Sequence, residues 1–324
     1  MKIKKEYVIL VAIILSMALY LILRNPDKTH YKLPKVPHVA KTDISKIEIS
    51  KLDTTIVLKR KDNKWHIAPE GYLANTDEVE EMLDSMEKLF VIALVSESKN
   101  YSRYDLDDDK KITVKAWEGE ALRRDFDVGK TASSYQHTFL KLSGDDRVYH
   151  ARGNFRGNFD QTVESLRDKT VLSFNRSEIQ EIQIYKDKEV IAFNRTQVPV
   201  KVSTSKEDDA DSQPETESKT VWRTADGKEG DETKLNRLLN TLSDLHCEKY
   251  IDNQKKEDFT DPVYTFQLKG TQEYDLSIFA KKDKGAKSYP AVSSENDYPF
   301  LLPEWQTKNL ITKPGEMLKK PEKP

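Results

Sequence analysis

Apolar residues recur along the chain in two copies of one pattern. Each copy opens with three of them at the same spacing: Ile44, Ile47 and Ile49 in the first, Ile179, Ile182 and Ile184 in the second. This spacing, followed by a charged turn and a second apolar segment, predicts strands with one buried face. A single tryptophan follows in each copy, Trp65 and Trp222. Their equivalent places predict a structural role in the core and not a binding platform.

An amphipathic helix is predicted after each tryptophan, because apolar residues recur there at intervals of three and four positions. The two sets correspond at a constant offset of 156 residues. They are Val79, Met82, Leu83, Met86 and Leu89 against Leu235, Leu238, Leu239, Leu242 and Leu245. Asn75 is placed to cap the first helix, with Glu78 three positions later in a capping-box arrangement.

Alternating strands are predicted after each helix, and the order of elements sets the fold class. The predicted strands cover residues 112–117, 124–128, 139–142 and 148–149 in the first copy, and 264–268 and 274–278 in the second. Closing helices are predicted over 159–166, ending near 172, and over 302–311. The predicted fold is α+β: an N-terminal transmembrane helix, then two tandem repeated modules with mainly antiparallel sheets and packed helices.

The first 24 residues predict an uncleaved membrane anchor. Residues 7–23 include only one strongly polar side chain, Ser16, and would form a helix of about 26 Å, close to the ~30 Å hydrocarbon core of a bilayer. No small-residue cleavage site follows. Basic residues on the two sides nearly balance. The short N-terminal tail favours a single-pass protein of the inner (cytoplasmic) membrane, with the tail in the cytoplasm and the bulk of the chain outside it.

The remaining boundaries follow from composition. Residues 25–41 contain three prolines among polar residues and predict a linker. The two modules are expected over 42–173 and 174–313. Within the second, the acidic, apolar-poor segment at about 199–219 predicts a disordered loop. Residues 314–324, rich in lysine and proline, predict a disordered tail.

Charge and cysteine content exclude some classes of function. The chain has 53 Lys and Arg against 55 Asp and Glu, so no basic face for nucleic acid is expected. Cys247 is the only cysteine, which leaves no intrachain disulfide or thiolate cluster. No metal or cofactor is predicted, because the six histidines lack metal-ligand spacing. His137 and His150, in neighbouring predicted strands, are the nearest candidates for a metal site built by tertiary contact.

The most unusual loop carries the sequence Arg-Gly-Asn-Phe twice, beginning at Arg152 and at Arg156. Two arginines on a flexible backbone could hold an anion, and Phe155 and Phe159 could anchor a partner. The alternative is a glycine-rich turn whose phenylalanines enter the core.

Taken together, these motifs resemble a bacterial family. They are the I-x-x-I-x-I opening, the single tryptophan before a polar turn, the helix sequence TDEVEEMLDSMEKL, Tyr104–Leu106 and Asp127–Lys130. The chain is similar to the domain-of-unknown-function family DUF 4340, clearly over 42–172 and more weakly beyond. Asp105 stands where that family usually has glycine. The resemblance implies a membrane-anchored protein that accompanies ABC-transporter components of the gliding-motility type, and it carries no catalytic residues.

Three functions are therefore open. The first is a non-enzymatic, membrane-anchored ectodomain that acts as an accessory or scaffold component of an ABC-type transport or envelope complex, beside a permease or ATPase. The second is a module that binds a cell-envelope polymer through Arg and aromatic residues of the loop around Gly153. The third is a hydrolase whose site is built only by tertiary contact, since the sequence has no P-loop, Gly-x-Ser-x-Gly or Rossmann fingerprint.

Overall fold

Long antiparallel sheets form the framework of the chain. The computed structural model describes residues 5–23, 31–186, 189–201, 216–283 and 285–320. Contacts divide the chain into unit 1, Met1–Arg167, and unit 2, Asp168–Pro324. Residues 168–173, which the pattern placed at the end of the first module, therefore belong to unit 2. The protein is mixed α/β with antiparallel sheets and few helices, so the predicted antiparallel character is confirmed.

Unit 1 contains a nine-stranded sheet. Its strands are β1 (Lys46–Lys51), β2 (Thr54–Lys61), β3 (Lys64–Ala68), β4 (Tyr72–Leu73), β5 (Val91–Ser96), β6 (Ile112–Glu118), β7 (Ala121–Thr131), β8 (His137–Leu142) and β9 (Val148–Arg152). They lie in the order β4-β3-β2-β1-β6-β7-β8-β9-β5. The predicted run from β6 to β9 is present, whereas the sequence pattern missed β5, which pairs with β9 at the edge of the sheet.

Unit 2 contains an eight-stranded sheet and a separate pair of strands. Its strands are β10 (Thr170–Ser173), β11 (Glu181–Lys186), β12 (Glu189–Lys201), β13 (Thr216–Arg223), β14 (Asp244–His246), β15 (Lys249–Tyr250), β16 (Tyr264–Lys269), β17 (Glu273–Ile278), β18 (Ser288–Ser293) and β19 (Phe300–Pro303). The large sheet has the order β13-β12-β11-β16-β17-β18-β19-β15, and β10 pairs with β14. Apart from β4, the two large sheets have the same strand order.

Six α-helices occur among the described residues, the first before β1 and the last after β19. They are α1 (Lys5–Leu23), α2 (Thr76–Glu87), α3 (Arg156–Phe159), α4 (Val163–Leu166), α5 (Glu232–Leu242) and α6 (Glu304–Leu310). Asn75 caps α2 as predicted, because its side-chain oxygen accepts from the backbone N–H groups of Asp77 and Glu78. The return bond of a capping box is not formed: the Asn75 N–H donates to the Leu166 carbonyl oxygen at 2.7 Å. Asp231 caps α5 in the same manner.

One amphipathic helix covers the core of each unit. Four side chains of α2 are buried, and four of α5: Val79, Met82, Leu83 and Met86, and Leu235, Leu238, Leu239 and Leu242. Trp65 lies in the first core and Trp222 in the second. Trp65 on β3 pairs with Arg60 on β2, and Trp222 on β13 pairs with Arg195 on β12. Each arginine donates to a nearby backbone carbonyl oxygen, so both pairs belong to the framework of the fold.

The N-terminal residues form α1, and its apolar side chains from Ile9 to Leu21 are exposed. Within the described residues, no helix is both long enough and apolar enough to cross a membrane. The transmembrane helix predicted over 7–23 is therefore not found. Of the predicted linker, residues 25–30 lie outside the described residues, while Val39 is buried in the core of unit 1.

Three further predictions need correction. The helix predicted over 159–166 is two short helices, because the Thr162 hydroxyl accepts from the Ser165 N–H and starts a second one, α4. The loop predicted at 199–219 is strand at both ends, where β12 pairs with β13, and residues 202–215 lie outside the described residues. The predicted tail is packed at its start: Pro314–Met317 forms a 3-10 helix with Met317 buried in the core of unit 2.

We expect Gly129→Ala to destabilise unit 1. A Cβ at Gly129 would overlap the carbonyl oxygen of Tyr104 and lie 2.9 Å from Leu106 Cγ. Relieving this overlap requires backbone movement, and overpacking of this kind costs about 1–3 kcal/mol. Chemical denaturation of the purified variant measures the loss. Gly157→Ala is the matched control, because a Cβ there would meet nothing within 4 Å. Equal stability of the two variants would contradict the prediction.

Candidate functional site

The four predicted contact residues of the Arg-Gly-Asn-Phe loop do not share one surface. Phe155 and Phe159 are buried in the core of unit 1, with their rings edge to face at 6.3 Å. The Arg156 guanidinium donates to the carbonyl oxygens of Lys110 at 2.7 Å and Val128 at 3.1 Å. These bonds tie the loop to the sheet, so Arg156 is engaged in holding the backbone.

Arg152 is the one exposed member of that set, and it lies over a neighbouring aromatic ring. Its guanidinium carbon is 5.2 Å from the centre of the Phe90 ring. Phe90, directly before the edge strand β5, is 56% exposed. Unit 1 therefore presents an arginine and a phenylalanine together on its surface, and the phenylalanine was not among the predicted contact residues.

The two histidines singled out from the sequence do meet. Their rings stack with centres 5.4 Å apart and planes inclined by 16°. The His150 Nε2 atom is buried and has no hydrogen-bond partner among the described residues. Burial lowers the pKa of His150, and His137 lowers it further by charge repulsion. No group of three metal-ligating side chains occurs in the described part of the chain, so the pair is not joined there by a third ligand.

A larger candidate site lies in unit 2, between β14, the strand β19 and helix α6. It is a pocket of about 930 Å³, which we call the Trp305 pocket. Its lining residues are Asp244, His246, Cys247, Glu248, Lys287, Pro303, Glu304, Trp305, Gln306 and Lys308. This volume lies in the upper part of the range of small-molecule sites, about 300–1,000 Å³. The pocket combines one large aromatic side chain with charged and amide groups.

Local structure explains why Trp305 faces solvent. Helix α6 begins after Pro303, and Gln306, Thr307 and Leu310 form its buried face. The Thr307 hydroxyl donates to the Pro303 carbonyl oxygen at 3.0 Å and fixes the first turn. Since residues one position apart point in different directions on a helix, Trp305 is turned outward. Its side chain is 69% exposed.

Charged side chains in the pocket are largely balanced by neighbours. Glu304 Oε1 lies 3.2 Å from the amines of both Lys308 and Lys281. Both contacts hold the pKa of the Glu304 carboxyl below its ordinary value, and the hydrogen bond from Lys308 has the largest effect. Glu248 accepts a hydrogen bond from the Ser288 hydroxyl. Gln306, only 8% exposed, places an amide in the pocket wall.

A histidine and a carboxylate also meet in this pocket. His246 Nδ1 lies 3.7 Å from Asp244 Oδ1, and His246 Nε2 lies 3.4 Å from the Thr170 hydroxyl. A catalytic triad has this order of groups, but its contacts are about 2.6–3.2 Å. Asp244 and His246 are exposed, and Thr170 pairs with His246 across β10 and β14. The arrangement is that of cross-strand surface neighbours.

The sequence pattern missed this site. Trp305 falls within the helix predicted over 302–311, three positions after Leu302, which is the spacing of one helix face. In the structure Leu302 belongs to β19 and α6 begins only at Glu304, so the two residues do not share a helix face. The local pattern therefore held no signal that sets Trp305 apart.

Unit 1 has different side chains at the corresponding place. The pairing of β8 with β9 is extended by a hydrogen bond from the Gly153 N–H to the Gln136 carbonyl oxygen. The pairing of β18 with β19 is extended in the same way from the Glu304 N–H to the Lys287 carbonyl oxygen, and both bonds are 2.8 Å long. In this alignment Asn154 corresponds to Trp305. Its side-chain oxygen accepts from the Thr131 hydroxyl at 2.7 Å. The exposed indole is thus specific to unit 2.

Comparison with known proteins identifies the family. A family model described as "Domain of unknown function (DUF4340)" matches residues 65–262, more than half of the chain. The chain belongs to the DUF4340 family. No curated protein and no solved structure matches it. The region matched in this DUF4340 chain includes the wall of the Trp305 pocket at Asp244–Glu248 and ends before the wall at Lys287–Lys308.

We expect Arg156→Ala to destabilise unit 1 of this DUF4340 protein and Arg152→Ala to leave it nearly unchanged. The first substitution removes two charge-assisted bonds to backbone carbonyls, for which a loss of about 1.5–3 kcal/mol is typical. The second removes an exposed side chain, with an effect within about 0.5 kcal/mol. Denaturant unfolding of both variants measures the difference. A larger loss for Arg152→Ala would contradict this assignment.

We expect His150 to make unit 1 less stable as the pH falls below about 6.5, the ordinary pKa of histidine. Its pKa is lowered in the folded state, so the unfolded chain binds a proton first and is favoured by acidification. Stability measured between pH 7 and pH 5 should depend less on pH in His150→Phe than in the natural chain. The exposed His38→Phe is the control. An unchanged slope in His150→Phe would refute the role of His150.

Proposed function

We propose that this DUF4340 protein is a non-enzymatic, membrane-associated accessory or scaffold component of an ABC-type transport or envelope complex. Helix α1 would hold the chain at the cytoplasmic membrane, and units 1 and 2 would contact the partners. The expectation that both units lie on the extracytoplasmic side belongs to the same proposal.

The observation that carries the proposal is the surface of α1. Its large apolar side chains between Ile9 and Leu21 are each more than half exposed. Transfer of such a surface from water to an apolar environment is favoured by about 25 cal/mol per Å². An amphipathic helix would turn only one stripe to lipid, whereas these residues lie on all sides of α1. A lipid environment satisfies them together.

The expected partner is an ABC-type permease or ATPase, because the family resemblance implies such a neighbour. We also infer that the two units are copies of one module, a view supported by their common strand order and by the two capped, four-residue helix faces. A duplicated module offers two similar frameworks whose surfaces can differ, as they do at Asn154 and Trp305.

We expect the full-length protein to float with phospholipid vesicles and the double variant Ile13→Lys, Leu15→Lys to lose this association. A lysine at the centre of a membrane-embedded helix costs roughly 2.5–3.5 kcal/mol. Sucrose-gradient flotation with vesicles of phosphatidylethanolamine and phosphatidylglycerol measures the bound fraction. The double variant Leu52→Lys, Leu122→Lys is the control, because it adds the same charge at exposed leucines outside α1.

Flotation that is equal in the two double variants would overturn membrane association through α1. The complex is tested by purifying the full-length protein from gently solubilised native membranes and identifying co-purifying proteins by mass spectrometry. Stoichiometric recovery of a permease or ATPase supports the accessory role. Recovery of the protein alone counts against it.

A second candidate function, recognition of an envelope polymer, is favoured by the exposed Trp305. Tryptophan is enriched among residues that dominate binding energy, especially where it lies in a pocket. The loop around Gly153, first considered for this role, gives it little support because its phenylalanines are buried. The candidate surface for a polymer is therefore in unit 2.

A further inference from the structure

We propose that the Trp305 pocket binds a neutral oligosaccharide chain. This inference rests on the second candidate function, recognition of an envelope polymer, and names both its ligand class and its site. Four features of the pocket support it: the aromatic surface, the hydrogen-bonding groups, the charge balance and the size.

The first feature is the indole of Trp305. It is 69% exposed, and it projects from a helix whose following two residues are buried. A pyranose ring has a face of C–H groups that is apolar and slightly positive, while an aromatic face carries negative charge density. Stacking of the two removes apolar surface from water on both partners. An exposed indole at a pocket wall is suited to this contact.

The second feature is the range of hydrogen-bonding groups beside the indole. Glu248 accepts, Lys287 donates, and the Gln306 amide does both. Sugar hydroxyls donate and accept, so neighbouring hydroxyls of one ring need such a mixture. Glu248 already accepts from a hydroxyl group, that of Ser288. A bound sugar hydroxyl would make the same kind of bond.

The third feature is charge. Three carboxylates line the pocket, Asp244, Glu248 and Glu304, against the amines of Lys287 and Lys308. Lys281 adds a further positive charge beside Glu304. The opposite charges nearly cancel, so the pocket has no strong field that would select a phosphate or another polyanion. A neutral ligand is the better match.

The fourth feature is size. A volume of about 930 Å³ accommodates a drug-sized ligand and is larger than a single hexose requires. The site therefore suits a stretch of a glycan chain, with one ring on Trp305 and others beside the polar wall. The corresponding position of unit 1 carries Asn154, which is bonded to Thr131, so the inference applies to unit 2 alone.

The test uses the full-length protein in detergent and two neutral probes, the β-1,4-linked tetrasaccharides of glucose and of N-acetylglucosamine. Isothermal titration calorimetry measures the dissociation constant. Because the chain has four tryptophans, the fluorescence change that is absent from Trp305→Phe reports on the Trp305 indole. We expect saturable binding of at least one probe. Trp305→Ala should weaken it tenfold or more, whereas Trp305→Phe, which keeps an aromatic face, should stay within about threefold.

The matched control is Tyr135→Ala, which removes an aromatic side chain that is 75% exposed and lies in unit 1. Its dissociation constant should equal that of the natural chain. Thermal unfolding of Trp305→Ala should also be unchanged, since the side chain is exposed. Absence of saturable binding with both probes overturns the proposal, as does equal binding by Trp305→Ala and Tyr135→Ala.

The outcomes separate this proposal from the accessory role. Loss of vesicle flotation or of co-purifying partners would remove the accessory role and leave oligosaccharide binding intact. Cleavage of a bound tetrasaccharide, detected by mass spectrometry, would support the site and overturn the non-enzymatic function. Failure of binding with normal flotation would overturn the glycan site alone.

Discussion

The structure depends on one requirement: each large antiparallel sheet must bury one face, and an amphipathic helix contributes a row of side chains to the core on that face. Helices α2 and α5 each contribute four buried side chains, at the same spacing. Complete burial of a leucine, valine or methionine contributes about 1.5–3 kcal/mol. The alternation of the strands, the two tryptophans and the caps at Asn75 and Asp231 all serve this contact. Closely packed apolar side chains therefore fill the core of each unit.

The buried positions of α2 and α5 differ only in the type of apolar side chain, whereas the segments that follow β9 and β19 differ in their chemistry. The segment after β9 turns two phenylalanines into its core, and the segment after β19 buries Gln306, Thr307 and Leu310. The residues left outside are then free to differ: Arg152 and Asn154 in unit 1, Trp305 in unit 2. The two units therefore share a strand order but differ in surface chemistry at these positions.

Residues with the same local sequence have different roles in the folded protein. Arg152 and Arg156 occur in identical tetrapeptides, yet one lies over an exposed ring and the other holds two backbone carbonyls. At Gly129 too, the constraint comes from tertiary contacts, since the Tyr104 carbonyl oxygen and the Leu106 side chain leave no room for a Cβ. The exposed apolar surface of α1 and the pocket at Trp305 are distinct features, one suited to lipid and the other to a polar ligand. The proposed roles can therefore succeed or fail separately.

The sequence by itself determined the antiparallel strands, the two amphipathic helices and the Asn75 cap, because periodicity and capping are local properties. It did not reveal β5, because pairing with β9 is a distant contact, or the packing of residues 314–318, because these are buried within the core of unit 2. The break between α3 and α4 comes from the Thr162 cap, a local signal that the apolar pattern does not contain. Only the tertiary structure decided that Phe155 and Phe159 enter the core while Trp305 remains outside. Burial depends on what the rest of the fold brings to each face, and no local pattern contains that information.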